Sequence, residues 1–118
     1  MGIVEFLTAR LDEDEHGARY AADPGLPEYE NRTAEWSEES SGILYTGDEY
    51  FSVRDSTITR FVEVHDPARV LREVTAKRAI VRLLSEAHDD EVGPGVYDGT
   101  MRALASIYTD HPDYRTDW

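Results

Sequence analysis

From Gly2 to Ala22 the apolar residues Ile3, Leu7, Leu11 and Ala18, joined by Val4, Phe6 and Ala21, recur at three- and four-residue intervals. That spacing predicts a one-sided helix, stopped by Asp23-Pro24-Gly25. The period then disappears. Residues 23–42 are rich in Pro, Gly, Ser and Glu and read as a loop-rich, partly disordered stretch, with Trp36 as the point where the chain returns to the body as a short first strand. Ile43 to Tyr45 and Glu49 to Val53 are β-branched and aromatic runs around Thr46-Gly47-Asp48, the pattern of a hairpin. A lone hairpin is marginal in water, so it must lie on helices or pair with the Trp36 segment.

The remainder of the chain is helical by the same criterion. Asp55 or Ser56 caps a short helix through Val64 that would bury Ile58, Phe61 and Val62. At "HDPARVLREV" the Asp66 carboxylate can accept exposed backbone N–H groups, and Pro67 lacks the N–H that would be orphaned there. The longest helix follows, about Pro67 to Ala87, with Val70, Val74, Val81 and Leu84 in one stripe and Glu73 and Lys77 as an i, i+4 pair. Acids, Gly and Pro in "HDDEVGPGVYDG" break it. Asp98 or Thr100 then caps a last helix in which Tyr97, Met101, Leu104 and Tyr108 share a face, ended by Pro112. Residues 110–118 form a tail whose Tyr114 and Trp118 can fold back on the core. The expected fold is α+β: three main helices and one short helix packed on a short antiparallel β-hairpin or three-stranded sheet, in a single small domain spanning 1–118.

Composition narrows the function classes. A chain of 118 residues buries roughly 65% of its unfolded surface on folding, enough for one modest core. With no cysteine, disulfides, thiolate ligands and cysteine nucleophiles are excluded. The opening "MGIVEFLTARLDEDE" lacks the continuous apolar run of a signal peptide or membrane span, which points to a cytoplasmic protein without membrane contact. The net charge of −13 argues against direct nucleic-acid binding, which needs clustered Lys and Arg. Between Asp12 and Glu49 stand twelve acids and two bases, whereas His65 to Leu84 carries five bases and two acids. This layout suits an acidic surface offered to a basic protein partner, or solvated faces alone.

Candidate chemistry is sparse. Each of the four histidines, His16, His65, His88 and His111, has a carboxylate adjacent to it, but there is no HExxH, Gly-rich phosphate loop or GxSxG. The leading expectation is therefore a non-enzymatic interaction or regulatory protein that needs no cofactor. Its candidate contact residues are Asp12, Glu13, Asp14 and Glu15, with Tyr114, Arg115 and Trp118 as aromatic and arginine anchors. One alternative is an acidic nucleic-acid mimic, with Asp12 to Glu15 and Glu28 to Glu49 occupying a partner's DNA-binding groove. A second alternative is a divalent-metal hydrolase in which His65 and His111 converge and Glu73 or Asp113 completes the ligand set.

The segments "FLTARLDEDE", "HDPARVLREVTAKRAIV" and "TMRALASIYTDHPDYRTDW" resemble a family of small acidic proteins common in actinobacteria and their phages, known as a domain of unknown function. The order is similar as well: an acidic helix, a variable Trp-containing hairpin region, the HDPARVLREV helix and a closing DHPDY segment followed by Trp. The resemblance implies a bacterial or phage cytoplasm and supplies no catalytic residue. A role common to the family would have to use matching positions, among them His65, Asp66, Arg69, Arg72, Glu73, Lys77, His111, Asp113, Tyr114 and Trp118. Residues 23–56 depart freely from the pattern.

Overall fold

The computed structural model describes residues 1–53, 55–87 and 91–118; the His88–Asp89 neighbour pair lies outside them. The described residues form four helices and a three-stranded antiparallel sheet, the α+β class expected. In chain order these are α1 (Ile3–Ala22), β1 (Arg32–Ser40), β2 (Ile43–Gly47), β3 (Tyr50–Ser52), α2 (Ser56–Val64), α3 (Pro67–Glu86) and α4 (Pro94–Ala105), with single 3₁₀ turns at Pro27–Tyr29 and Ser106–Tyr108. No helix of the described residues is long and apolar enough to cross a membrane. The chain divides into two compact units, one of residues 1–13 and 74–118, the other of residues 14–73.

The first unit is built on the apolar stripe of α1. Phe6 and Leu7 are buried with Val81 of α3 and with Met101 and Ala105 of α4, and Ile3, Val4, Leu84, Tyr97, Leu104, Tyr108, Tyr114 and Trp118 pack around them. The face of α4 is the one its spacing predicts, but its start is not. The helix begins four residues before Asp98: Gly93 is the cap and Pro94 occupies the first turn. The Gly93 carbonyl accepts from the N–H groups of Val96 and Tyr97, at 3.0 and 3.2 Å. A proline without an N–H suits that first turn, so Gly93-Pro94 starts a helix here rather than breaking one. Asp98 instead stands one turn before Arg102, 4.0 Å from its guanidinium. Helix α4 also ends well before Pro112, because the chain tightens into a 3₁₀ turn at Ser106, whose hydroxyl donates to the Ala103 carbonyl at 2.6 Å.

The second unit holds the sheet, ordered β1-β2-β3. Of the two arrangements expected, the three-stranded sheet is the one formed. Its first strand runs for nine residues, so 32–40 is regular structure rather than loop. Backbone pairing places Arg32 opposite Gly47, Ser37 opposite Tyr45 and Glu38 opposite Leu44, with irregularities between Arg32 and Ser37 and between Glu38 and Ser40. Those two bulges hide the strand from a period-two search. Gly47 closes β2 with φ +119°, and a Cβ there would stand 2.1 Å from the Asn31 carbonyl oxygen. Helix α2 packs on β1 and β2.

Helix α2 has the expected bounds and cap but a different rotation. The Asp55 side chain accepts from the Thr57 N–H and hydroxyl at 2.9 and 2.6 Å. Ile58 and Phe61, expected inside, are 52% and 64% exposed, and the residue buried is Thr59. The Thr59 hydroxyl donates to the Glu38 carboxylate of β1 and also lies 3.1 Å from the Ser56 carbonyl. This polar anchor turns the Thr59 face to the sheet and the larger apolar side chains to water.

Candidate functional site

Four surfaces concentrate the residues that sequence singles out. The first surrounds Phe6, whose ring meets Tyr108, His111, Tyr114 and Trp118 at centroid distances of 6.2, 5.8, 6.1 and 4.9 Å. Tyr114 meets Trp118 edge-on at 5.6 Å. Aromatic rings at these separations and tilts attract one another edge to face, so residues 108–118 wrap the Phe6 ring. One turn along α1 the Arg10 guanidinium lies 5.1 Å from the Phe6 centroid. Arg10 is only 6% exposed. Its Nη1 donates to His111 Nδ1 at 2.6 Å and its Nη2 to Glu13 at 2.9 Å, with an Asp113 carboxylate oxygen 3.7 Å away. The Arg10 Nε finds no hydrogen-bond acceptor among the described residues.

This geometry assigns the His111 tautomer. Its Nδ1 accepts from Arg10 and also from the Asp113 backbone N–H at 3.1 Å, so the ring hydrogen of the neutral imidazole belongs on Nε2. A ring nitrogen held by two donors is not offered to a metal or to a substrate proton. The His111-Pro112-Asp113 run thus positions Arg10 and encloses Phe6. Arg10 escaped sequence reasoning, although one signal was present: it falls between Leu7 and Leu11 on the buried stripe of α1, where an apolar side chain is the default.

The second surface is the joint at His65-Asp66. Asp66 is 8% exposed and divides its carboxylate: Oδ1 accepts from the Arg69 N–H at 2.9 Å, capping α3, and Oδ2 accepts from the Trp36 N–H at 3.0 Å. The helix start expected from Asp66-Pro67 is therefore present, and the same side chain ties β1 to it. His65 Nδ1 lies 2.9 Å from the Phe61 carbonyl, to which it donates, and its ring stacks on Phe61 at 4.1 Å. Glu73 accepts from Arg69 Nε at 3.0 Å. Of the four residues proposed for a metal, His111 and Asp113 meet on Arg10, while His65 and Glu73 have the separate partners just named. Among the described residues no group of three or more His, Asp or Glu side chains is gathered in a metal-binding arrangement.

The third surface is the acid run. Asp12 accepts from Arg78 at 2.6 Å, Glu13 from Arg10, and Glu15 from Arg19 at 3.0 Å. Asp14 is half-buried. Farther along, Glu49 accepts from Arg32 Nε at 3.0 Å, and Glu38 serves Thr59 and the Gly42 N–H. Many of these carboxylates are thus engaged with groups of their own chain. In the closing segment Tyr114 and Trp118 are half-buried against Phe6, and Arg115 donates to Asp117 at 2.7 and 3.0 Å. That hydrogen bond holds the Asp117 carboxyl below its usual range and raises Arg115.

The fourth surface is the outward face of α2. Ile58, Phe61 and Val64 recur at three-residue steps and are all at least half exposed, and Thr57 and Arg60 beside them are exposed as well. Every carboxylate on α2 is accounted for by Glu63, which is half-buried. Tyr50 and Phe51 on the edge strand β3 are also exposed, at 65% and 47%. Asp55 at the helix start is held below the ordinary carboxylate range by its hydrogen bonds to the Thr57 hydroxyl and N–H. A hollow of about 270 Å³ lies elsewhere, in the first unit, lined by Leu84, Val92, Pro94, Tyr97 and Asp98 among others.

A model described as a family of unknown function (DUF6221) matches residues 1–118. No curated protein and no solved structure matches the chain.

Proposed function

We propose, from the premise that the chain belongs to the DUF6221 family, that it is a non-enzymatic protein of a bacterial or phage cytoplasm that works by contact with another protein, and that the contact is made by α2. One observation carries this reading. In a nine-residue helix Ile58, Phe61 and Val64 stand largely in water while a threonine is the buried residue. Single exposed apolar residues are ordinary, but three on one helix face form a patch of the kind used in recognition. The rings expected to act as anchors, Tyr114 and Trp118, already have Phe6 as their neighbour. The carboxylates Asp12, Glu13 and Glu15 already have arginines, which favours α2 over the acid run as the contact surface and over the groove-filling role of a nucleic-acid mimic.

The test is retention of a binding partner on immobilised full-length protein at near-physiological salt, comparing wild type with Phe61→Glu. Phe61 is largely in water, so the substitution leaves the fold intact, and an unchanged circular dichroism spectrum checks that. Wild type should hold a stoichiometric protein partner that Phe61→Glu releases. Equal retention by both would contradict the assignment to α2.

A further inference from the structure

We propose that residues 109–118 are a proton-sensitive strap: when His111 takes up a proton, Arg10 and the Asp113 N–H lose their acceptor and the segment comes away from Phe6. All of these groups belong to the first compact unit.

Neutral His111 carries its hydrogen on Nε2, so a second proton has one place to go, Nδ1. That nitrogen is occupied from two directions, by Arg10 Nη1 at 2.6 Å and by the Asp113 backbone N–H at 3.1 Å. Protonation turns the acceptor into a third donor, and both hydrogen bonds are lost together. It also sets an imidazolium against a guanidinium. Arginine does not relieve such a contact by shedding its own proton, because a guanidinium stays charged at any pH a folded protein meets.

The carboxylates around the pair pull the other way. From α1, Glu13 accepts from Arg10 Nη2 at 2.9 Å. Within the strap, an Asp113 carboxylate oxygen lies 3.7 Å from Arg10 Nη1, Asp110 accepts from the Thr109 hydroxyl at 3.1 Å, and Asp117 pairs with Arg115. Tyr108 and Tyr114 also face Phe6, and phenols carry no charge near neutral pH. Glu13, Asp110 and Asp113 are all exposed, so water screens their attraction for an imidazolium. Arg10 is buried, and its charge acts on the ring at hydrogen-bond distance with little solvent between them.

The same contrast decides which side moves. Arg10 sits in the middle of α1, between the buried Leu7 and Leu11. The strap follows the last 3₁₀ turn, and its backbone bonds from His111 to Tyr108 and from Tyr114 to His111, at 3.0 and 2.9 Å, are local. Tyr114 and Trp118 lie on Phe6, so loosening the strap uncovers that ring. The docked strap takes the neutral imidazole and the released strap takes either form. Docking is therefore full above the range in which free imidazole titrates and weakens as pH falls through it.

Amide hydrogen exchange of the full chain provides the test, with each rate divided by the intrinsic rate at the same pH to give an opening constant. Because free imidazole titrates near about pH 6.5, the Tyr114 amide should open about tenfold more readily at about pH 5.5 than at about 7.5. The Val81 amide in α3 should change less than about threefold. His111→Asn keeps an amide oxygen where Nδ1 stands and takes up no proton, with the other three histidines still present. Its Tyr114 opening constant should differ by less than about twofold between the two conditions. Should the asparagine variant be loose at both, nitrogen NMR of wild-type His111 decides, since a hydrogen on Nδ1 should appear only in molecules whose strap is open. A wild-type opening constant that does not change with pH overturns the proposal. So does an equal rise in His111→Asn, or a His111 protonated on Nδ1 while the Tyr114 amide stays protected.

Discussion

Arg10 is buried with three charged or polar neighbours arranged around it, and the energetics of that arrangement depend on each of them. Truncation of His111 to Ala removes the acceptor for Arg10 Nη1, leaving a buried charged donor short of one partner. The expected cost is about 1–3 kcal/mol of stability, measured by urea denaturation. His111→Gln, which can return an amide oxygen near Nδ1, should cost less than His111→Ala. Equal losses would mean that the ring packing on Phe6, rather than the acceptor, is what counts. Asp66 gives a second residue-scale prediction. Because its two oxygens serve Arg69 and Trp36 separately, Asp66→Asn keeps one acceptor and turns an amide donor towards the other N–H. Asp66→Asn should therefore destabilise by about 1–3 kcal/mol, rather than be the mild change expected if Asp66 were a cap alone.

At the scale of elements, Gly47 and α2 show what local sequence can and cannot specify. Gly47 combines a left-handed backbone with contact against Asn31, so Gly47→Ala should lower stability by at least about 1–3 kcal/mol, visible as a lower urea midpoint. The Asp55 cap gives a pH dependence of definite sign. Its folded-state acidity is raised, so its contribution to α2 is full above the ordinary carboxylate range and is lost as pH falls through the lowered folded value. The Thr57 amide resonance should report that transition as the start of α2 frays at acid pH. Helix starts at Asp55 and Asp66 were legible because a cap is a matter of adjacent residues. The rotation of α2 was not. Its apolar spacing defines a stripe, but a side chain twenty-one positions away, Glu38, decides through Thr59 which side faces the sheet. Strand β1 was likewise obscured by its bulges, and the start of α4 by a Gly-Pro pair that serves equally as a breaker and as a first turn. The return of Tyr114 and Trp118 to the body was foreseeable from their size, whereas their mate, Phe6, lies about a hundred residues earlier in the chain.

For the whole molecule, the excess of carboxylates sets the background against which each contact operates. Exposed ion pairs such as Arg19–Glu15 contribute little individually, while a net charge of −13 repels itself throughout. The melting temperature should accordingly rise between low salt and about 0.3 M NaCl; a fall would show that the ion pairs outweigh the repulsion. The candidate site was only partly legible at this scale. Acid run and terminal aromatics were the conspicuous features of the sequence, and both find partners within the chain, while the exposed face of α2 depends on packing that no sequence motif announces. Site-specific photocrosslinking separates these surfaces most directly. With benzoylphenylalanine placed in turn at positions 12, 61 and 115 of the full chain, adducts to protein should form from position 61 and not from 12 or 115. Adducts from 12 or 115 with none from 61 would contradict a contact surface on α2.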